Sequence, residues 1–327
     1  MPRPPHRVAS LATISVNVDS LERLHDELGI SSRPDPVAIY AVAIPRVLAL
    51  LDEVHARATF FVSGKDLAHP QAAEMLQEIV ARGHEVATKG YQHAVNMRTW
   101  SKLSVAEEIE RGSAAIVKVI GKRPQGFRAP GYNVDTRVIQ LLAERGFKYD
   151  SSVLSSLPFF LVKRASNLFG RAIGRGSDAT SLAVHNLRAP TQPYRPSRWA
   201  FWEAGSRKHS LPIWEIPVGL MRGTGVPMTS RLIATTPETL LAGLFSTFKL
   251  GQPTVHVELH AVDLMDRNDH AIHTELVSKR VNLRGEHQAT ARKVTEFLRL
   301  VQNDYRIVTM DELADELELK AGPTVVA

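Results

Sequence analysis

The sequence predicts an α/β fold in which parallel strands are wrapped by helices, with about seven strands arranged as a barrel. Three observations carry this. Apolar, β-branched runs of strand length alternate with segments of helical period from Leu11 to Thr309. Gly and Pro punctuate the boundaries, and no internal repeat interrupts them. Polar side chains recur where the strand-like runs end: Asn17 and Asp19, His93, Arg128 and His260. That rim is where such a barrel carries its chemistry.

The elements follow in order. Leu11 to Asp19 reads as a buried first strand, with Asn17 and Asp19 on one face because strand side chains alternate. Ala38 to Val54 has helical spacing, and Pro45 kinks it or marks its true start. Ala56 to Ser63 is a strand closed by Gly64. Pro70 to Arg82 is a helix with Pro near its start and Gly83 just after its end. A short strand at Glu85–Ala87 enters a polar loop ending at His93. Ser104 to Ile120 reads as a helix capped by Ser104, with Glu107 completing a capping box. Phe127 to Tyr132 is a strand end running into a Pro-Gly turn, followed by a helix from Thr136 to Arg145 and a strand from Lys148. Residues 158–210 lose regular pattern and read as an irregular insertion. It is basic from Lys163 to Lys208 and rich in aromatics such as Tyr194, Trp199 and Trp202. Leu211 to Val218 is extended, and Pro237 to Phe248 is helical. Thr254 to His260 alternates, which places Thr254, His256, Glu258 and His260 on one polar face. A helix at 287–302, a strand at 305–309 and a short amphipathic helix complete the chain.

With 327 residues, 44% of them hydrophobic, the chain can bury a sizeable core. One domain over 11–315 is expected, between a flexible N-terminus (1–10) and a C-terminal tail (316–327). The absence of cysteine excludes disulfides, thiolate metal sites and a Cys nucleophile. The formal charge is +6, but acidic and basic residues are interspersed outside the insertion, and no nucleic-acid motif is present, so no nucleic-acid partner is expected. The N-terminal stretch lacks the apolar run of a signal peptide, and no run of about twenty apolar residues occurs. The expectation is a cytoplasmic protein, with contact at a membrane surface left open.

Thr59-Phe-Phe-Val, Gly83-His-Glu-Val, Phe127-Arg-Ala-Pro-Gly-Tyr132, Tyr149-Asp-Ser-Ser152 and Glu258-Leu-His-Ala261 together resemble the polysaccharide deacetylase, or NodB-homology, family. The resemblance implies a distorted (β/α) barrel that hydrolyses the C–N bond of N-acyl groups on amino-sugar glycans or glycolipids. It also implies a divalent metal, commonly zinc, held by one Asp and two His. Carried onto this chain, Asp19 and His93 fall on two metal-ligand positions, and Lys89 stands at the third. Asn17 stands where the family has its catalytic-base Asp. Arg128 falls on the residue that orients the base, His260 on the general acid, and Pro130 and Tyr132 on the substrate groove, the Tyr132 backbone also being expected to help stabilise the oxyanion. Gly90 replaces a Ser or Thr, so the loop loses a hydroxyl.

Two departures decide the chemistry. Asn17 is an amide and cannot act as a base near neutral pH. Lys89, when charged, repels a divalent ion and offers no lone pair. The expected arrangement is a Lys89 ammonium in the metal's place, paired with Asp19 and needing no metal. His84 and His256 are the alternatives for a displaced ligand. Two functions stay open: a metal-dependent amidase impaired by these substitutions, and a non-catalytic glycan-binding relative.

Overall fold

The computed structural model describes residues 10–172, 184–206 and 208–321, side chains from 166 to 172 excepted. The expected flexible N-terminus, apart from Ser10, and the end of the tail lie outside these residues. So does a stretch of the insertion. Strand β1 (Leu11–Asn17) is buried along its whole length, with Ile14 and Val16 on one face and Thr13, Ser15 and Asn17 on the other, as a central parallel strand covered on both sides requires. Around it stand β2 (Thr59–Val62), β3 (Glu85–Thr88), β4 (Gly126–Phe127), β5 (Tyr149–Asp150), β6 (Trp214–Glu215), β7 (Thr254–His260) and β8 (Arg306–Val308). Seven strands lie in the order β6-β5-β4-β3-β2-β1-β7, all parallel, and curl into a half-barrel flanked by helices.

An eighth strand adds to the expected seven. β1 pairs with β7 along one edge, while its other edge is shared. β8 pairs with Leu11–Thr13, and β2 pairs with Ser15–Asn17. The gap between β6 and β7 is bridged by an extended segment. There the Met228 N–H donates to the Gly219 carbonyl (2.8 Å) and the Glu258 N–H to the Met228 carbonyl (3.0 Å). Gly219 permits this, since a Cβ there would lie 2.0 Å from the His256 carbonyl oxygen.

Alternation along the central strands separates two environments. Ile14, Val16, Val257 and Leu259 face the helices and pack with Val47, Leu51 and Phe297. Thr13, Ser15, Asn17, His256 and Glu258, the polar alternates, are buried on the other face, inside the curl.

Three boundaries differ from the sequence reading. The helix Lys102–Ile120 is capped by Ser101, whose hydroxyl accepts the Ser104 N–H at 3.1 Å. Ser104 is therefore in the first turn, and its hydroxyl bonds to that of Ser101. The Ala38–Val54 segment opens with a π-turn at Ile39–Ala43 before the α-helix Ile44–Glu53, with Pro45 in its first turn. The insertion begins with a helix, Leu157–Ala172, instead of irregular chain. Ser156 accepts the Phe159 N–H at 3.1 Å, and Pro158 lies in the first turn, where a missing N–H is tolerated.

Candidate active site

Parallel strands deliver the polar groups to one rim. The β1–β7 register sets Asn17 beside His260 and Ser15 beside Glu258. Lys89 follows β3, with its N–H on the Val62 carbonyl (2.8 Å), and Arg128 follows β4, with its N–H on the Thr88 carbonyl (3.0 Å). Seven of the residues singled out in the sequence thus converge: Asn17, Asp19, Lys89, His93, Arg128, Tyr132 and His260. Pro130 lies buried in the turn Pro130–Tyr132 beside them.

The Lys89 ammonium donates to Asp19 Oδ1, with the lysine side chain 4% and the aspartate 18% exposed. It also lies 3.5 Å from Asn17 Oδ1. His93 Nε2 is 3.5 Å from the same Asp19 oxygen, and His93 Nδ1 shares a 3.1 Å bond with the Ser63 hydroxyl. His260 Nδ1 is 3.9 Å from Asp19 Oδ2. Burial opposes ionisation of Asp19, but Lys89, followed by His260 and His93, holds its carboxyl well below the usual range. Burial first, and Lys89 second, push His93 well below the usual imidazole range, so its ring is neutral.

These residues do not fit a catalytic divalent metal. Asp19 and His93 supply two donors, and a catalytic zinc takes three protein ligands. The third position carries an ammonium with three N–H donors and no acceptor. Among the described residues, no group of three or more His, Asp or Glu side chains is placed to hold an ion.

Glu258 occupies the centre of a second charge pair. Its Oε1 accepts from Arg128 Nη1 (2.8 Å), Asn17 Nδ2 (2.8 Å) and the Tyr132 hydroxyl (2.7 Å). Its Oε2 lies 3.8 Å from His260 Nε2. Burial works against the charge, but Arg128, then His260, keep the carboxyl below its usual range. Arg128 is fully buried. It donates to the Ser151 carbonyl and hydroxyl (2.9 and 2.7 Å) and to the Ser15 hydroxyl (3.0 Å), and stacks 4.0 Å over Phe61. The carboxylate facing Arg128 thus comes from β7, while β1 supplies only the Asn17 amide.

Of the three described non-glycine residues with positive φ, His55 lies before β2 and the other two lie at this rim. His93 and Tyr132 have φ of 59° and 57°, in the left-handed region that non-glycine residues rarely adopt. Gly90 has φ 86°, and a Cβ there would stand 2.8 Å from Glu108 Oε1. The missing hydroxyl at that position therefore has a packing cause. Glu108 Oε1 accepts the Gln92 N–H (2.6 Å) and anchors the loop. The Tyr132 N–H donates to the Ala129 carbonyl (3.0 Å), so it is not free to serve an oxyanion.

Neither alternative histidine reaches the rim cluster as a ligand. His84 Nδ1 accepts the Ala58 N–H (3.2 Å) at the opposite end of the strands. His256 is bonded on both nitrogens, to Ser15 Oγ (2.7 Å) and the Pro217 carbonyl (2.9 Å), and burial lowers its pKa to about 4. Sequence reasoning placed Glu258 on the polar face of β7 but gave it no role. The signal was the chain's only acid within that alternating run, one strand away from an amide where a carboxylate was expected. Ser15 and Ser63 went unnoticed, since a serine in a strand carries no distinguishing pattern.

Residues 38–149 match the polysaccharide deacetylase family. A peptidoglycan deacetylase of Helicobacter pylori is 31% identical over 149 residues, covering 44% of this chain and 50% of that protein. A peptidoglycan deacetylase-like protein of Gibberella zeae is 32% identical over 115 residues, covering 34% and 33%. The chain thus spans half or less of the length of these curated relatives. A solved structure from Mycobacterium smegmatis, assigned to the polysaccharide deacetylases, aligns over 100% of this chain and 96% of its own with a TM-score of 0.59. At 19% identity that likeness speaks to the fold alone.

Proposed function

We propose that this chain, whose residues 38–149 match the polysaccharide deacetylase family, is a member of it that binds an N-acylated amino-sugar glycan at the rim without metal-assisted hydrolysis. The observation carrying this reading is the Lys89 ammonium on Asp19. Metal-assisted amide hydrolysis needs an ion that acidifies water and polarises the acyl carbonyl. It also needs a base for the water proton, and losing a general base costs about 10²–10⁴ in rate. Asn17 supplies no such base, and a charged ammonium supplies no open coordination site.

Binding groups remain. Asp19 is 18% and His260 25% exposed at the side chain, so an acceptor and an imidazole face the cleft together. Sugar hydroxyls and acyl N–H groups match that pair. The strained His93 and Tyr132 hold the walls in a shape that a free loop would relax.

The decisive experiment compares the chain with variants N17D/K89H and N17D/K89H/E258Q on N-acetylglucosamine oligomers. The parent is expected to bind them, to lose binding in H260A, and to release no acetate. The double variant places two carboxylates on Arg128, so the triple variant is expected to gain more zinc-dependent acetate release. Zinc-dependent turnover by the unaltered chain would sink the proposal.

A second reading, metal-free deacylation, draws on the ionised Glu258 lying 3.8 Å from His260. Acetate release that survives chelation and disappears in H260A would favour it.

A further inference from the structure

We propose that the outward face of the first turns of the helix Leu157–Ala172, from Leu157 to Arg164, docks on an anionic phospholipid bilayer, at the edge of the rim cleft. Its inward face carries Phe159 and Phe160, packed against Tyr132, Leu154, Val218 and Leu220. Lys163 is also turned inward, with Nζ on the Gly131 carbonyl at 3.2 Å. The opposite face leaves Leu157, Leu161 and Val162 exposed by 54%, 55% and 70%. Arg164 is exposed as well. At the helical period Leu157, Leu161 and Arg164 form one stripe, with Val162 at its flank. Single exposed aliphatics are ordinary on a protein surface, but three together on one helix face, edged by a cation, are not.

Charge identifies the occupant. From Ser151 to Arg188 the sequence has five Lys or Arg against one acid; among the described residues of that stretch Arg164 and Arg188 are exposed, Lys163 is turned inward, and no acidic side chain is present. The rest of the insertion, to Lys208, is basic too, and outside it the two signs mix. A cationic segment presenting aliphatic side chains suits a surface that is negative at the headgroups and apolar just below. No helix among the described residues is long and apolar enough to cross a membrane, so the contact lies in the interface. The site is near. Phe159 meets the Tyr132 ring edge-on at 6.0 Å, and the Tyr132 hydroxyl is on Glu258. Docking would set the cleft at the membrane plane, where an amphiphile with a sugar headgroup presents its polar end. The docking claim stands whether or not the glycan reading does.

Flotation of the full chain with vesicles tests it. Phosphatidylglycerol–phosphatidylcholine vesicles are expected to carry the chain, less so at high salt, and pure phosphatidylcholine vesicles to carry much less. L161D/V162D is expected to reduce partitioning about tenfold or more, and R164E about threefold. L161S/V162S, which adds no charge, gives the same direction, and near-UV circular dichroism verifies that each variant is folded. Absence of flotation overturns the proposal, and so does undiminished binding by folded L161D/V162D. Concentration-dependent self-association abolished by L161D/V162D, without vesicle binding, would assign the face to a second copy of the chain and also overturn it.

Discussion

Glu85 at one end of the barrel and Asp19 and Glu258 at the other are buried in opposite ways. At the N-terminal end of the strands Glu85 accepts from the Thr59 hydroxyl (2.7 Å), the Tyr149 hydroxyl (2.6 Å) and the Asp311 N–H (3.0 Å). All three donors are neutral, and burial raises its pKa. At the rim, Asp19 and Glu258 each face a cation, Lys89 and Arg128, and both are held below the usual carboxylate range. The lower end is a polar plug that closes the barrel beneath the helix Met310–Ala321. The rim keeps charge in a partly open cleft and keeps two residues in strained backbone. Holding ionised groups where burial penalises them is what a site requires and a plug does not.

Matched substitutions at the two ends test that contrast. E258Q leaves the buried Arg128 without its carboxylate and is expected to lower stability by about 3–5 kcal/mol, whereas E85Q, which keeps neutral partners, is expected to cost about 1 kcal/mol. Urea unfolding of the pair measures the difference, and equal losses would erase the distinction. Next in size is K89M, expected to cost about 2–4 kcal/mol by leaving Asp19 charged and unpaired. D19N/K89M should recover most of that loss, which a double-mutant cycle reads directly.

A smaller effect comes from Asp66, which accepts from the Tyr40 hydroxyl (3.1 Å) beneath Asp19. Burial raises its pKa to about 6, with the Asp19 charge adding to the shift. An acid with a raised folded-state pKa binds its proton more tightly when folded. Its contribution is therefore full below the unfolded value near 4 and is lost as pH rises toward about 6. D66N is expected to remove that decline, with a gain of about 1–2 kcal/mol above pH 6. Unfolding measured across this range gives the slope. An unchanged slope in D66N would place the titration elsewhere.

Much of this was legible in the sequence. The alternation from Thr254 to His260 marks β7 to the residue, and the β-branched, largely apolar stretch from Leu11 marks β1 as a buried strand. Lys89, Asp19 and His93 were expected at one point because the family resemblance puts them on its three metal-ligand positions, and the strand ends that carry Asp19 and His93 share one rim. Three things were not legible. Glu258 takes its meaning from the parallel register with β1, which sets it beside Ser15 and within reach of Asn17, and register is not written in one strand. The helix Leu157–Ala172 was hidden by Pro158, which reads as a breaker although it occupies a tolerated first-turn position. The left-handed His93 and Tyr132 come from tertiary packing, which overrides local preference.

The account rests on the Lys89 ammonium filling the place of a divalent ion beside Asp19, and zinc stoichiometry tests that most directly. Elemental analysis after equilibration with excess zinc and removal of free ion should find far less than about one zinc per chain in the parent. The K89H/N17D variant should retain about one, the count of a single filled catalytic site. One tightly held zinc per unaltered chain, lost in both D19N and H93A, would contradict the account.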